Sequence, residues 1–376
     1  MLNKLSFTGR ITFFQKIKSL DYWLLVCILL LGLISSFSMY SSEGGQILYY
    51  TESHIIRFTV FFSLMLALSF VRPKFWHATG YLFFVIVMGL LFYVSLFGIT
   101  ASGSQRWINL YFINLQPSEL MKIAIIICFA KYYHRLQISN INRFQNLLIP
   151  IVILILPIVL VLSQPDLGTS ILIALSGLAV IWLSGVNIKY FIYSLLIFVV
   201  SAPFVITFLE PYQKLRILAF FNPERDPLGS GYQIIQSKIA VGSGGLYGKG
   251  FLKGTQSYLE FLPEKHTDFI FTLFSEEFGF LGSVILIFLY LLLIYRIIKI
   301  GFDCRSFFSR LFCFGFSTAL FLYVFVNIAM VNGLLPIVGS PLPIMSYGGS
   351  SMLSIMLGLS IVMSCKIYSQ DQITNY

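Results

Sequence analysis

Glu260, Glu264 and Asp268 fall within nine residues, and Glu276 and Glu277 follow in the apolar run that begins there. Eighteen residues thus hold five of the chain's 15 acids, in a sequence that is only 11% charged. A carboxylate at membrane depth costs roughly 2.5–3.5 kcal/mol on insertion scales, so it marks a substrate, proton or ion path unless a partner neutralises it. Within Pro263-Glu264-Lys265-His266-Thr267-Asp268-Phe269 the candidate working group is Asp268, a carboxylate able to take a proton. The same residue just before an apolar helix would also serve as an N-terminal cap favoured by the helix dipole.

Further polar islands stand at the ends of apolar runs. Gly103-Ser104-Gln105-Arg106-Trp107-Ile108-Asn109 offers a cation. Gln116-Pro117-Ser118-Glu119-Leu120-Met121-Lys122 puts Pro in a first helical turn and sets Glu119 and Lys122 at i, i+3 on one face. Those two charges either form a structural ion pair or face a substrate. Asp166 in Gln164-Pro165-Asp166-Leu167-Gly168-Thr169 is placed to cap the helix after it. Pro341 to Ser351, with Ser346 and Ser350, is small and polar, which also suits close helix packing. Gly242 to Gly250 fails as a phosphate loop, because Ser243 stands where the first Gly is needed and Gly250 where Ser or Thr is needed. It reads instead as flexible backbone.

What must position these islands is a bundle of spans. With 57% hydrophobic residues, 17% aromatics and a mean hydropathy of +0.86 over 376 residues, lipid is the main solvent. Ten apolar runs of about spanning length cover approximately residues 22–41, 55–71, 77–98, 118–133, 147–163, 169–184, 190–209, 267–295, 311–333 and 350–367. The expectation is an all-α integral membrane protein, a single polytopic domain over 1–376, since helices satisfy their backbone hydrogen bonds internally. Pro150 and Pro157 predict bends in the fifth span.

Counting Lys and Arg in the short connections gives 15 on one side, from Lys4 to Lys366, against Arg57, Arg106 and Lys122 on the other. The positive-inside rule then puts both termini in the cytoplasm, and residues 210–266, between spans seven and eight, outside as one long loop. Topology and anionic lipid account for most of the formal charge of +10. No basic cluster interleaved with aromatics points to nucleic acid. Leu5 to Leu20 suits a helix lying on the inner surface. The first apolar run is followed by no small-x-small cleavage site. Five cysteines and four histidines show neither disulfide nor metal-ligand spacing.

Taken together, Gln164 to Thr169, Pro263 to Phe271 with Glu276, Glu277 and Gly279, and Ser346 to Ser351 resemble the hallmark blocks of the SEDS family, the RodA, FtsW and SpoVE proteins of bacterial cell-wall synthesis. Asn222-Pro223-Glu224-Arg225-Asp226-Pro227 and Gly254 to Lys265 are most similar to the RodA branch. The resemblance implies a peptidoglycan glycosyltransferase of the bacterial inner membrane that polymerises lipid II at the outer face, with Asp268 matching the family's essential carboxylate. It also implies substrate-binding or supporting roles for Arg106, Glu119, Lys122, Asp166, Lys238, His266, Thr267, Ser346 and Ser350. A divalent cation, Mg or Mn, is implied without legible ligands, and no organic cofactor. The implied partner is a class B penicillin-binding transpeptidase, meeting spans eight and nine and the long loop. A lipid II flippase and a non-catalytic scaffold of the wall machinery remain open alternatives on the residues themselves.

Overall fold

The computed structural model describes residues 12–101, 104–110, 114–208, 214, 218–223, 230–255 and 264–373. Gly103, Glu224 to Pro227 and the stretch from Gln256 to Pro263 lie outside the described residues, as do Leu5 to Ile11 of the basic N-terminal segment. That segment is seen only in the short helix α1, Phe13–Lys18.

Each of the ten apolar runs falls on a helix: α2 (Tyr22–Ser42), α3 (Tyr49–Ser69), α4 (Pro73–Phe97), α5 (Pro117–Arg135), α6 (Phe144–Ser163), α7 (Leu167–Leu183), α8 (Ile188–Phe208), α10 (Ile270–Asp303), α11 (Phe307–Val331) and α12 (Gly349–Ile367). Among the described residues seven of these are long and apolar enough to cross a membrane. Of the rest, α7 is 17 residues long, and α5 carries Glu119, Lys122, Lys131 and Arg135 along an almost wholly buried length.

The burial pattern explains the hydropathy. In α6 the residues facing the bundle are Leu147, Pro150, Leu154, Pro157 and Val161, a stripe at helical spacing. Leu148, Ile151, Val152, Ile155 and Val159 are turned outward. An apolar face of that kind is solvated by lipid. The helix continues unbroken through both prolines. At the centre α5, α11 and α12 pack closely, with buried Ser351, Ser354, Gly358 and Ser360 on α12. Small residues let helix backbones approach where no water-driven force separates helix from lipid; any side chain at Gly358 would collide with the Phe316 ring.

Three expectations need correction. The chain is not purely helical: β1 (Ile99–Ala101), β2 (Ser104–Asn109) and β3 (Asn114–Leu115) form a small antiparallel sheet between α4 and α5. The polar island around Arg106 is that sheet's middle strand. Nor is 210–266 simply a loop. Residues Ser230–Ser243 form a helix, α9, held to α10 and α11 by Ser237 Oγ, which lies 3.0 Å from Thr272 Oγ1 and donates to the Val331 carbonyl at 2.7 Å.

The glycine-rich stretch after α9 is also not loose backbone. It docks into a break in α10 at Gly279, whose φ of 66° only glycine adopts easily. Phe280 and Leu281 amides donate to the Gly245 and Leu246 carbonyls, while Lys249 and Gly250 amides donate to the Glu276 and Glu277 carbonyls. The break frees backbone groups and this segment pairs them, which apolar surroundings demand. A Cβ at Gly248 would strike the Glu277 carbonyl.

Candidate active site

The polar islands meet at one end of the bundle, where α2, α4, α6 and α11 finish and α3, α5, α7, α10 and α12 begin. The segment bearing Asp268 is folded back on itself, with Thr267 and Phe269 amides both donating to the Glu264 carbonyl. Ser346 Oγ donates to the Thr267 carbonyl at 2.6 Å, and the Tyr347 amide donates to the His266 carbonyl at 2.8 Å. These two blocks are therefore in direct contact. Asp268 is half-buried. Gly339 stands across from it, where a Cβ would lie in ordinary contact, 3.5 Å from Oδ2. The N-cap position of α10 is Phe269, one residue past Asp268.

His266 is the joint to the α2–α3 turn. Its Nδ1 is 2.8 Å from Ser42 Oγ and its ring stacks on Tyr50. Burial pushes the imidazole below its usual range, with Lys265 acting in the same direction and Glu43 and Glu264 opposing.

Asp166 caps α7 as expected, accepting from the Thr169 amide at 3.2 Å. Its other oxygen accepts from Gln116 Nε2 at 3.1 Å and lies 3.6 Å from Arg106. Arg106 also donates to the Gln164 and Pro165 carbonyls. Its side chain keeps 23% of its surface exposed, so the guanidinium is tethered yet reachable. Ser350 Oγ joins α12 to this group, accepting from the Gln116 amide at 2.8 Å and donating to the Asn114 carbonyl at 2.7 Å. The start of α7 then abuts the wall beside Asp268, because Gly168 lies against the Val338 carbonyl.

Glu119 and Lys122 form a sealed pair, Nζ to Oε1 2.7 Å, with residue exposures of 3% and 2%. Lys122 lies 4.0 Å from the centroid of the Tyr323 ring, and the Tyr323 hydroxyl donates to Glu119 Oε2 at 3.0 Å. Both charges are thus matched inside the protein, the arrangement a buried pair needs. Lys238 stands apart from these groups, exposed on α9 with its side chain over the turn at Gly333.

Sequence reasoning missed Tyr323 and Asn327 on α11 and Ser42 on α2. Tyr323 and Asn327 are four residues apart in an apolar run, and that i, i+4 polar pair was the signal available. Among the described residues, no three His, Cys, Asp or Glu side chains are grouped to hold a metal ion.

The arrangement defines a polytopic helical membrane protein with one half-buried carboxylate, one reachable guanidinium and a sealed ion pair, all at the same end. Residues 18–371 match the profile of the FtsW/RodA/SpoVE cell cycle proteins, and the chain belongs to that family. It is 43% identical to the peptidoglycan glycosyltransferase MrdB of Escherichia coli K12, over 94% of this chain and 95% of that one. It is 35% identical to the probable peptidoglycan glycosyltransferase FtsW of Buchnera aphidicola subsp. Baizongia pistaciae, over 90% and 91%. A solved chain from a peptidoglycan synthase complex, studied for its coordination of polymerization and crosslinking, is 28% identical and superposes with a TM-score of 0.81, covering 94% of this chain and 99% of that one. The rod shape determining protein RodA of Thermus thermophilus shares the fold at 23% identity, with a TM-score of 0.71 and coverage of 94% and 98%.

Proposed function

We infer that this chain is a peptidoglycan glycosyltransferase of the bacterial inner membrane, polymerising lipid II into β-1,4-linked glycan during cell elongation. Membership of its family over nearly the whole chain carries the reading. In the proposed reaction Asp268 takes the proton of the acceptor sugar's 4-hydroxyl as that oxygen attacks C1 of the donor. The bond from C1 to the pyrophosphate oxygen breaks, the lipid pyrophosphate departs, and a single displacement inverts the α-linked donor to a β bond. Positioned acid–base groups contribute typically 10²–10⁴ in rate.

Arg106 suits the departing pyrophosphate, being cationic, forked and reachable. Lys122 suits it less, because Glu119 already holds its charge. A divalent cation is part of the expectation from the family, but the described side chains form no three-ligand cage for it. Ten spans, cytoplasmic termini and a site on the outer face complete the proposal, together with a class B transpeptidase as partner.

The test is polymerisation by purified protein given lipid II in detergent, where no second compartment exists. Lengthening of glycan is the expected result; a flippase or scaffold would produce none. Asp268→Asn, which keeps size and polarity but not the proton acceptor, should run at least about 10²-fold slower, and near-native synthesis by the folded variant would remove Asp268 from the role.

A further inference from the structure

We propose that Tyr323 and Asn327, one turn apart on α11, form a polar ladder that holds the Glu119–Lys122 pair and the Asp268 segment in one register, making Asn327 a positioning residue for the carboxylate. The proposal rests on the assignment of Asp268 as the base.

Asn327 is fully buried, and its Nδ2 spends both hydrogens, on the Asp268 carbonyl at 2.9 Å and on the Ser340 carbonyl at 2.7 Å. Flipping the amide would set Oδ1 against two carbonyl oxygens, so the hydrogen-bond network fixes its orientation. Ser340 follows Gly339, the residue across from the Asp268 carboxylate. One side chain thus fastens both the backbone that carries Asp268 and the wall its carboxylate faces. Asn327 Oδ1 and Ser340 Oγ are buried without hydrogen-bond partners. Leaving buried acceptors unpaired is destabilising, and a leucine, with the same branched skeleton but no polar atom, would avoid it. Packing alone does not account for an amide here, whereas two carbonyls needing a common donor do.

The rung below fixes where that amide stands. Tyr323 shares the face of Asn327 by its i, i+4 spacing. Its hydroxyl is bound to Glu119 and its ring lies beside Lys122. A sealed ion pair is intolerant of displacement because each charge has no solvent to turn to. Anchored there, α11 has its rotation and height set, and Asn327 carries that setting to Asp268 one turn along. The Glu119–Lys122 pair acts on the chemistry through this helix, without touching substrate.

The experiment uses the full-length chain co-purified with its transpeptidase, in detergent with lipid II, comparing Asn327→Leu and Tyr323→Phe with the native protein. Misplacement of a reacting group by about 1 Å can cost on the order of 10²-fold. For Asn327→Leu the expected result is a kcat at least tenfold lower with KM changed less than twofold, in protein that elutes as folded. Tyr323→Phe, which loses only the hydroxyl, should lose kcat several-fold with KM again held. A purely structural role would lower the yield or melting temperature but leave kcat per folded molecule intact; kcat within twofold of native in the folded variants overturns the ladder, and if Asn327→Leu does not fold, Tyr323→Phe decides alone. Asp268→Asn in the same assay separates the two ideas. Inactive Asp268→Asn beside active ladder variants refutes only the ladder, while active Asp268→Asn removes the base assignment and the ladder with it.

Discussion

The Tyr50 ring lies flat on the His266 imidazole, centroids 4.2 Å apart and planes 14° from parallel. Tyr347 meets the same tyrosine edge-on at 5.0 Å, and Arg57 sits over Tyr347 at 4.5 Å. The first turn between spans is in this way clamped to the segment that ends in Asp268. Burial imposes a preference for the uncharged imidazole at its centre.

That preference gives a pH dependence. Burial is the main reason the His266 pKa is lowered, so the unfolded chain binds the proton more readily than the folded one. Where the unfolded state holds more protons, stability rises with pH. The contribution is therefore complete above the unfolded value of about 6.5 and is lost as pH falls from there toward the lower folded value. Melting temperature followed from pH 7.5 to 5.5 should drop, and His266→Phe, which keeps a stacking ring without a titrating nitrogen, should flatten that drop. An unchanged slope in the variant would assign the pH effect elsewhere.

Glu119→Gln should lower both stability and activity. Removing one partner of a buried pair costs about 3–5 kcal/mol because the other charge is stranded. Adding Lys122→Met to it should recover part of the melting temperature, since no buried charge is then left alone, but not the polymerisation rate if the pair orients α11. Thermal melting and glycan synthesis on the single and double variants would separate these effects.

Lys253, exposed beside the break in α10, tests the orientation. Cysteine placed there should react with an impermeant thiol reagent in intact spheroplasts. Labelling only after lysis would turn the proposed topology over and put the site on the wrong face for a wall polymer.

The helices were legible because lipid-facing and bundle-facing residues are both apolar, so runs such as 147–163 stand out by length alone. The polar residues gathered at one end of the bundle were legible as charges out of place, Asp268 and the Glu119–Lys122 spacing above all. What failed was backbone behaviour set by distant partners. Nothing local makes Ser104 to Asn109 a strand; its hydrogen bonds come from Ile99–Ala101 and Asn114–Leu115. Gly242 to Gly250 carries every mark of mobility until α10 supplies the matching amides and carbonyls. Asn327 was missed for a similar reason: its i, i+4 spacing to Tyr323 marks a shared face, but the amide acquires its meaning only from the two carbonyls that reach it.

The break at Gly279 bears on how the protein is put together. An unbroken helix of the 34 residues of α10 would extend about 51 Å, well beyond a hydrocarbon core of about 30 Å. Gly245 to Gly250 and the turn around Gly279 each supply what the other lacks, so neither settles comfortably in lipid by itself. Their pairing waits on α10, because the residues around Gly279 are synthesised after Gly250. Because their bond is non-covalent, a chain divided between residues 255 and 264 has the means to reassemble from two co-expressed fragments.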